Sequence, residues 1–145
     1  MLRWLLQLRL LLMRKYLFVC VHNAGRSQMA EAFVNHYASL HGLPVEGRSA
    51  GTMGGKALNP VSVQAMQEVG IDMSGQSPKI LTPDMLGRDV TAITMGCGVD
   101  AEACPARFIV SDDWGLDDPA GQDLNAVRAI RDQIDTRVQK LLGLN

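Results

Sequence analysis

The chain has 145 residues, of which 47% are hydrophobic and 20% are charged, and this composition is typical of one folded domain with a sizeable core. Fourteen basic and fifteen acidic side chains give a formal net charge of −1, so there is no overall electrostatic case for a nucleic-acid or membrane partner. Three cysteines without the spacing of a disulfide framework indicate a reducing compartment, and we expect the cytoplasm.

Residues 1–12 are rich in leucine but lack the pattern of a membrane span or a signal peptide. Arg3 and Arg9 interrupt the apolar run, which is too short to cross a bilayer and is followed by no small-residue cleavage site. Met13 lies just before the first predicted strand and would be a natural initiating methionine for the domain. We therefore expect residues 1–12 to be an N-terminal extension, or a short amphipathic helix packed on the domain, and residues 13–145 to form a single domain.

Residues 15–19 predict the first buried strand, because aromatic and β-branched side chains dominate this run. Cys20 then lies at the carboxyl end of the strand. Residues 27–34 combine good helix formers with apolar spacing. The segment between them is therefore a strand-to-helix turn, which Ala24 and Gly25 keep narrow.

This turn has the chemistry of an oxyanion site. Free N–H groups at the start of a helix suit a tetrahedral anion such as phosphate, arsenate or sulfate, and the same field favours the thiolate form of Cys20. Arg26 supplies a planar fork of donors for two oxygens of the anion. Ser27 can hydrogen-bond the thiolate, while His22 and Asn23 either contact the anion or brace the loop. The predicted substrate-binding residues are Val21, His22, Asn23, Ala24, Gly25, Arg26 and Ser27.

The ordinary alternative for Cys20 is an inert buried thiol. A strand before the motif and a helix after it, as the proposed chemistry requires, favour the functional interpretation. The turn is not a nucleotide-binding P-loop, because no lysine follows its glycine.

Strands and helices alternate along the rest of the chain. Asn59 and Pro60 have the pattern of a helix cap and a first helical residue, and Gly70 ends that helix. The other predicted elements are strands at residues 44–51, 90–95 and 107–110 and a last helix at residues 125–142.

This alternation predicts an α/β fold with three layers, in which a doubly wound sheet of about four parallel strands has helices on both faces. Ligands of such sheets bind beyond the carboxyl ends of the strands. Cys20 is predicted to lie in that crevice.

Two further cysteines, Cys97 and Cys104, follow the third predicted strand. Free cysteines are often simply small buried hydrophobic residues, and that alternative stays open for both. No C-x2-C or H-x3-H spacing is present, so we expect no metal site.

The loop at residues 20–27 and the helix sequence after it resemble the low-molecular-weight protein tyrosine phosphatase superfamily. Within it, the runs at residues 94–98, 104–105 and 113–121 resemble the arsenate reductases that use three cysteines and are recycled by thioredoxin. The similarity covers about residues 13–142, with the motifs in the family's order. It implies a low-molecular-weight phosphatase-like catalytic domain that reduces arsenate to arsenite in arsenic detoxification.

The resemblance also implies roles for individual residues. Cys20 would be the nucleophile toward arsenate, with Arg26 and the loop amides holding the oxyanion. Asp118 would be the general acid that protonates the departing oxide, and Pro119 would fix its approach. Without the resemblance, Asp118 would be taken as a solvated acid in a turn, and Asp117 stays the alternative acid.

A relay of three cysteines with no bound cofactor is implied as well. Cys97 would attack the sulfur of the Cys20 thioarsenate and release arsenite, Cys104 would displace Cys20, and thioredoxin would reduce the Cys97–Cys104 disulfide. One continuous helix would separate the Cα atoms of these two residues by roughly 10 Å, whereas a disulfide needs less than about 7 Å. We therefore expect a looped segment, or one that refolds on oxidation with freedom from Gly96 and Gly98.

Two other functions would use the same residues differently. A tyrosine phosphatase would use Cys20, Arg26 and Asp118 with water and would want aromatic walls, for which only Trp114 is near. An arsenite-binding sensor would hold As(III) with three thiolates and leave Arg26 and Asp118 idle. Mycothiol or another small thiol is the alternative reductant, although three cysteines favour thioredoxin.

Some members of the superfamily hold a monovalent cation near the loop, and the matching residues would include Asn23 and Ser49. Lys79 stands where an acid would help such a site. Potassium dependence is therefore not favoured.

Overall fold

The computed structural model describes residues 2–11, 13–87, 89–96 and 111–144. Its strands are β1 (Arg14–Cys20), β2 (Val45–Gly51), β3 (Val90–Thr94) and β4 (Asp112–Asp113). Its α-helices are α1 (Leu2–Leu11), α2 (Arg26–His41), α3 (Pro60–Glu68) and α4 (Leu124–Leu141), and Pro83–Met85 forms a single 3-10 turn.

The four strands are parallel and form one sheet in the order β2-β1-β3-β4. The chain moves outward from β1 to β2 and then returns to the other side of β1 to form β3. The carboxyl ends of β1 and β3 therefore border the point where the strand order reverses, which is where parallel sheets bind their ligands. The predicted α/β fold class is confirmed.

Side chains of β1 alternate between the two faces of the sheet, as the period of a strand requires. Tyr16, Phe18 and Cys20 join a large core cluster with side chains of α2, α3 and α4, and Leu17 and Val19 join a smaller cluster on the opposite face. In the part of the chain that the structure describes, this second face is covered by the segment around the 3-10 turn, which contributes Leu81, Met85 and Leu86. Val90, the first residue of β3, packs against the same cluster.

The predicted helix boundaries agree with the structure, with one exception. The Asn59 side chain caps α3 by accepting hydrogen bonds from the amides of Val61 and Ser62, and α4 lies within one residue of its predicted bounds. The helix predicted at residues 27–34 instead continues to His41 and ends at Gly42, whose φ of 62° is left-handed. Its second half is only partly buried, so apolar spacing does not reveal it.

The strands predicted at residues 44–51 and 90–95 are confirmed as β2 and β3. The strand predicted at residues 107–110 lies outside the described residues, and β4 begins at Asp112.

Residues 2–11 form the helix α1, and none of the side chains at residues 2–8 belongs to either core cluster. Leu2, Trp4 and Leu6 are 79%, 64% and 61% exposed, so this helix is not packed on the domain through those side chains. Across the described ranges, no helix has the length and apolar character needed to cross a membrane.

Gly47 in β2 lies where α2 approaches the sheet most tightly. A Cβ atom at this position would lie 2.9 Å from the backbone oxygen of Glu31 and 2.9 Å from Cβ of Val34. The Asn35 side chain locks the same contact, because it donates to the Gly47 carbonyl at 3.0 Å and accepts from the Gly47 amide at 2.8 Å.

We predict that Gly47→Ala lowers the free energy of unfolding by about 1–3 kcal/mol, because helix backbone must shift to admit the methyl group. Urea denaturation measures this change. Gly75→Ala is the matched control, since no atom lies within 4 Å of its added Cβ. Equal losses in the two variants would contradict the close packing of α2 on β2.

Candidate active site

Cys20 ends β1, and the loop after it leads directly into α2. A cavity of about 750 Å³ opens above this loop. The walls of the cavity are residues 20–26, 54–57 and 116–120, together with Asn59 and Gly96. All of the predicted site residues in the described part of the chain line this cavity, except Ser27. Ser27 does not line the cavity, but its hydroxyl contacts the Cys20 sulfur.

The Cys20 sulfur is buried among hydrogen-bond donors. Its side chain is 4% exposed, the Asn23 amide donates to Sγ at 3.1 Å, and Ser27 Oγ lies 2.8 Å from Sγ. Ser27 Oγ already accepts from Asn23 Nδ2 at 2.8 Å, which leaves its own proton for the sulfur. Two hydrogen-bonding groups thus point at the sulfur, and the predicted Ser27 contact is present.

Asn23 holds the loop in shape. Its φ of 53° is left-handed, a conformation that asparagine adopts more readily than most residues. Its Oδ1 accepts from Gln28 Nε2 at 2.8 Å and from the Lys79 amide at 2.9 Å. Of the two options predicted for this residue, the side chain takes the bracing one.

Gln28 is a site residue that the sequence analysis did not single out. It is fully buried, and its Nε2 donates to the Asn23 carbonyl at 3.0 Å and to the Ser77 carbonyl at 2.9 Å. Its Oε1 accepts from Gln76 at 2.6 Å. A chain of amide groups therefore runs from residues 76–79 to the loop. Gln28 follows the polar residues Arg26 and Ser27, so the local sequence does not distinguish it.

Arg26 connects the loop with two other parts of the chain. It is 7% exposed, and its Nη1 donates to the Leu116 carbonyl at 2.7 Å and to the Met95 carbonyl at 3.2 Å. Its Nη2 lies 3.9 Å from Asp118 Oδ2, and the Asp118 side chain is 63% exposed. This pair is too long and too exposed to add much stability, so its significance is that it places a carboxyl group beside the guanidinium at the cavity.

Gly25 marks a close approach between the loop and the segment that carries Asp118. A Cβ atom at Gly25 would lie 2.6 Å from Cγ of Pro119. Gly25 is also the N-cap of α2, and no side chain caps this helix start. The first-turn amides of α2 therefore carry no side-chain cap and can bind an anion. Pro119 packs closely on this loop, and the adjacent Asp118 lines the same cavity.

Lys79 occupies the surroundings of the predicted cation-binding residues. Its ammonium lies 3.6 Å from Glu31 Oε1 and donates to the Ser77 carbonyl at 3.1 Å. The same Glu31 oxygen accepts from the Ser49 hydroxyl at 3.0 Å. Lys79, the residue that was expected to weaken a cation site, thus places its own positive charge beside Glu31 and Ser49.

Trp114, the aromatic candidate for a phosphatase-like cleft, does not line the cavity. Its side chain is 3% exposed and packs on Phe18, with 5.3 Å between the ring centroids. Burial of its large apolar ring in the core outweighs exposure at the cleft. Among the described residues, the cavity is lined by no Phe, Tyr or Trp side chain.

Cys97 and Cys104 lie outside the described residues. In the ranges that are described, no group of three or more His, Cys, Asp or Glu side chains is placed to hold a metal ion.

Comparison with known proteins identifies the class. Residues 15–144 match the family model of the low molecular weight phosphotyrosine protein phosphatases, so the chain belongs to this family. It is 40% identical over 132 residues to a putative arsenate reductase of Halobacterium salinarum, which covers 88% of this chain and 89% of that protein.

Two further comparisons concern arsenate reductases. The chain is 37% identical over 132 residues to a glutaredoxin arsenate reductase of Synechocystis, which covers 90% of this chain and 98% of that protein. The structure of a thioredoxin-dependent arsenate reductase of Corynebacterium glutamicum superposes with a TM-score of 0.70 at 38% identity, covering 89% of this chain and 60% of that one. The resemblance drawn from the motifs is confirmed.

Asp113, at the end of β4, fixes the end of β3 beside the site. Its Oδ1 accepts from the Thr94 hydroxyl at 2.6 Å and from the Gly96 amide at 2.8 Å. The Thr94 hydrogen bond, with smaller contributions from the Gly96 and Gly115 amides and from the charge of Arg137, holds the pKa of Asp113 below its ordinary value.

We predict that Asp113→Asn destabilises the protein at pH 7 by up to about 1 kcal/mol, a value kept small because the carboxylate is largely exposed. A carboxyl group whose pKa is lower in the folded state stabilises the fold above its unfolded pKa, near 4, and loses this contribution as the pH falls through the folded pKa. The difference between wild type and variant in urea denaturation should therefore shrink below about pH 4. A difference that is independent of pH would contradict this account.

Proposed function

We propose that this protein is an arsenate reductase in which Cys20 attacks the arsenic atom. The observation that carries the proposal is the surroundings of the Cys20 sulfur, which lies beneath a cavity and receives a hydrogen bond from the Asn23 amide at 3.1 Å. Arg26 and Asp118 line the same cavity. A nucleophile, a cation and a carboxyl group thus border one cavity, which can admit a tetrahedral anion.

In the first step, the α2 amides and Arg26 hold arsenate against the sulfur. The Cys20 thiolate forms a bond to arsenic while one arsenic–oxygen bond breaks. The departing oxygen belongs to a hydroxyl group of the protonated arsenate, and the proton that Asp118 gives to it lets it leave as water. Donors that are already in place stabilise the charge that builds on the remaining oxygens.

In the second step, two electrons pass from sulfur to arsenic. The Cys97 thiolate attacks the sulfur of Cys20, the sulfur–arsenic bond breaks with its electron pair on arsenic, and arsenite leaves. Cys104 then attacks Cys97 and releases the Cys20 thiolate, which leaves a Cys97–Cys104 disulfide for an external dithiol to reduce. We propose thioredoxin as that dithiol, with a glutaredoxin or a small thiol such as mycothiol as the alternatives to be tested.

The lining of the cavity favours a small inorganic anion over a phosphotyrosine side chain. Aromatic rings flanking the site would stack on a tyrosine ring, but the only tryptophan near the cleft, Trp114, is buried in the core. Hydrolysis of small aryl phosphates remains available to the same Cys20 and Arg26, because it needs only the first step and water.

The proposal is tested by following NADPH oxidation that depends on arsenate, with thioredoxin and thioredoxin reductase, and in parallel with glutaredoxin, glutathione and glutathione reductase. We predict that Cys20→Ser, Cys97→Ser and Cys104→Ser each abolish turnover, whereas only Cys20→Ser abolishes hydrolysis of p-nitrophenyl phosphate.

Two outcomes would contradict the proposal. Aryl phosphate hydrolysis without any arsenate turnover by the wild type would make the protein a phosphatase. Arsenite binding by three cysteines, with arsenate turnover absent in the wild type and with Arg26→Ala binding arsenite unchanged, would make it a sensor.

The identity of the general acid gives a further prediction. Asp118→Asn should lower kcat for arsenate by about 100-fold to 10,000-fold, the usual contribution of a positioned acid. Asp117→Asn is the matched control, since it removes the same charge from the adjacent position, and it should change kcat by less than about fivefold. The reverse result would assign the proton transfer to Asp117.

A further inference from the structure

The N-terminal helix α1 presents apolar side chains to solvent. Leu2 is 79% exposed, Trp4 64%, Leu5 52% and Leu6 61%. None of them belongs to a hydrophobic cluster of the described residues. A leucine-rich segment of this length is ordinarily a core helix, the apolar part of a signal peptide or a segment that lies in a membrane interface. A core helix does not match the observed exposure, and the charged residues within the segment argue against a signal peptide. A segment that lies in a membrane interface agrees with both observations.

Charge is distributed very unevenly along the chain. Four of the fourteen basic side chains, Arg3, Arg9, Arg14 and Lys15, lie in residues 1–15, which contain no acidic residue. The remaining ten basic side chains accompany all fifteen acidic ones, so residues 16–145 carry a net charge of −5 and residues 1–15 carry +4. The net charge of the whole chain, −1, is the sum of these two values and therefore hides the asymmetry. For that reason it gave no indication of a membrane partner.

We propose that α1 is a docking surface for an anionic lipid bilayer, on which it lies in the interface. Exposed leucine side chains enter the boundary between headgroups and acyl chains, and basic side chains contact the anionic headgroups. Trp4 has the amphipathic ring that favours this depth. Ten residues of helix measure about 15 Å, half of the roughly 30 Å of a bilayer core, so α1 lies on the membrane and does not span it.

This surface lies outside the cavity walls and leaves the catalytic machinery untouched. The negative charge of residues 16–145 is repelled by an anionic bilayer, so the basic end of the chain determines which part of the molecule approaches the membrane. The proposal does not depend on the reaction that Cys20 performs.

The test is sedimentation of the full chain with vesicles of phosphatidylglycerol and phosphatidylcholine, compared with vesicles of phosphatidylcholine alone. We expect binding to the anionic vesicles only, weakened as the salt concentration rises. A blue shift of Trp4 fluorescence should accompany binding and vanish in Trp4→Phe, since Trp114 is only 3% exposed.

Matched variants separate charge from apolar contact. Arg3→Gln with Arg9→Gln should weaken binding by about 25-fold, which corresponds to about 1 kcal/mol for each basic residue. Arg48→Gln with Lys140→Gln removes the same charge elsewhere and should leave binding unchanged. Leu5→Ser with Leu6→Ser should also weaken binding, whereas Leu40→Ser, at an exposed position on α2, should not.

Urea denaturation of each variant confirms that the fold is intact. The proposal is overturned if the full chain does not bind anionic vesicles at low salt, if it binds neutral vesicles equally, or if the α1 variants bind like the wild type. It is also overturned if α1 makes the chain sediment without vesicles, because the apolar face would then belong to contacts between copies of the chain.

Discussion

The hydrogen bonds of Asn23 are the constraint on which the candidate site depends. The left-handed backbone of Asn23 turns its amide toward the Cys20 sulfur, and its side chain orients Ser27 toward the same atom. Gln28 and the Lys79 amide hold that side chain in turn. Donors that are fixed around the sulfur before the reaction need no rearrangement and are therefore the most effective in a transition state.

Arg26 extends this constraint to the rest of the cavity. The loop after β1 carries it, but its guanidinium bonds carbonyls of Met95 and Leu116, which follow β3 and β4. Arg26 thereby joins three of the chain segments that border the crevice at the reversal of strand order. Met95 also lies two residues before Cys97 in sequence, so the residue that would hold the anion is bonded to the chain leading into the proposed relay.

The oxyanion loop and the sheet could be predicted from the sequence because both depend on local pattern. A buried strand, a cysteine, small residues, an arginine and a helix start are all visible in one short stretch. Long-range contacts leave no such pattern, and the contacts of Gln28 and the approach of Lys79 to Glu31 are of this kind. The burial of Trp114 against Phe18 is also of this kind, since its closeness to the acid loop in sequence does not reveal whether its ring enters the core or the cleft.

Reduction of arsenate by the chain's own thiols is the central claim, and a single turnover without any reductant tests it most directly. Prereduced protein is freed of small thiols and mixed with arsenate, and arsenite and free thiols are then counted. The account predicts a single arsenite for each chain, with the loss of two thiols and no further turnover. Arsenate that is left unreduced, with all thiols intact, would contradict it.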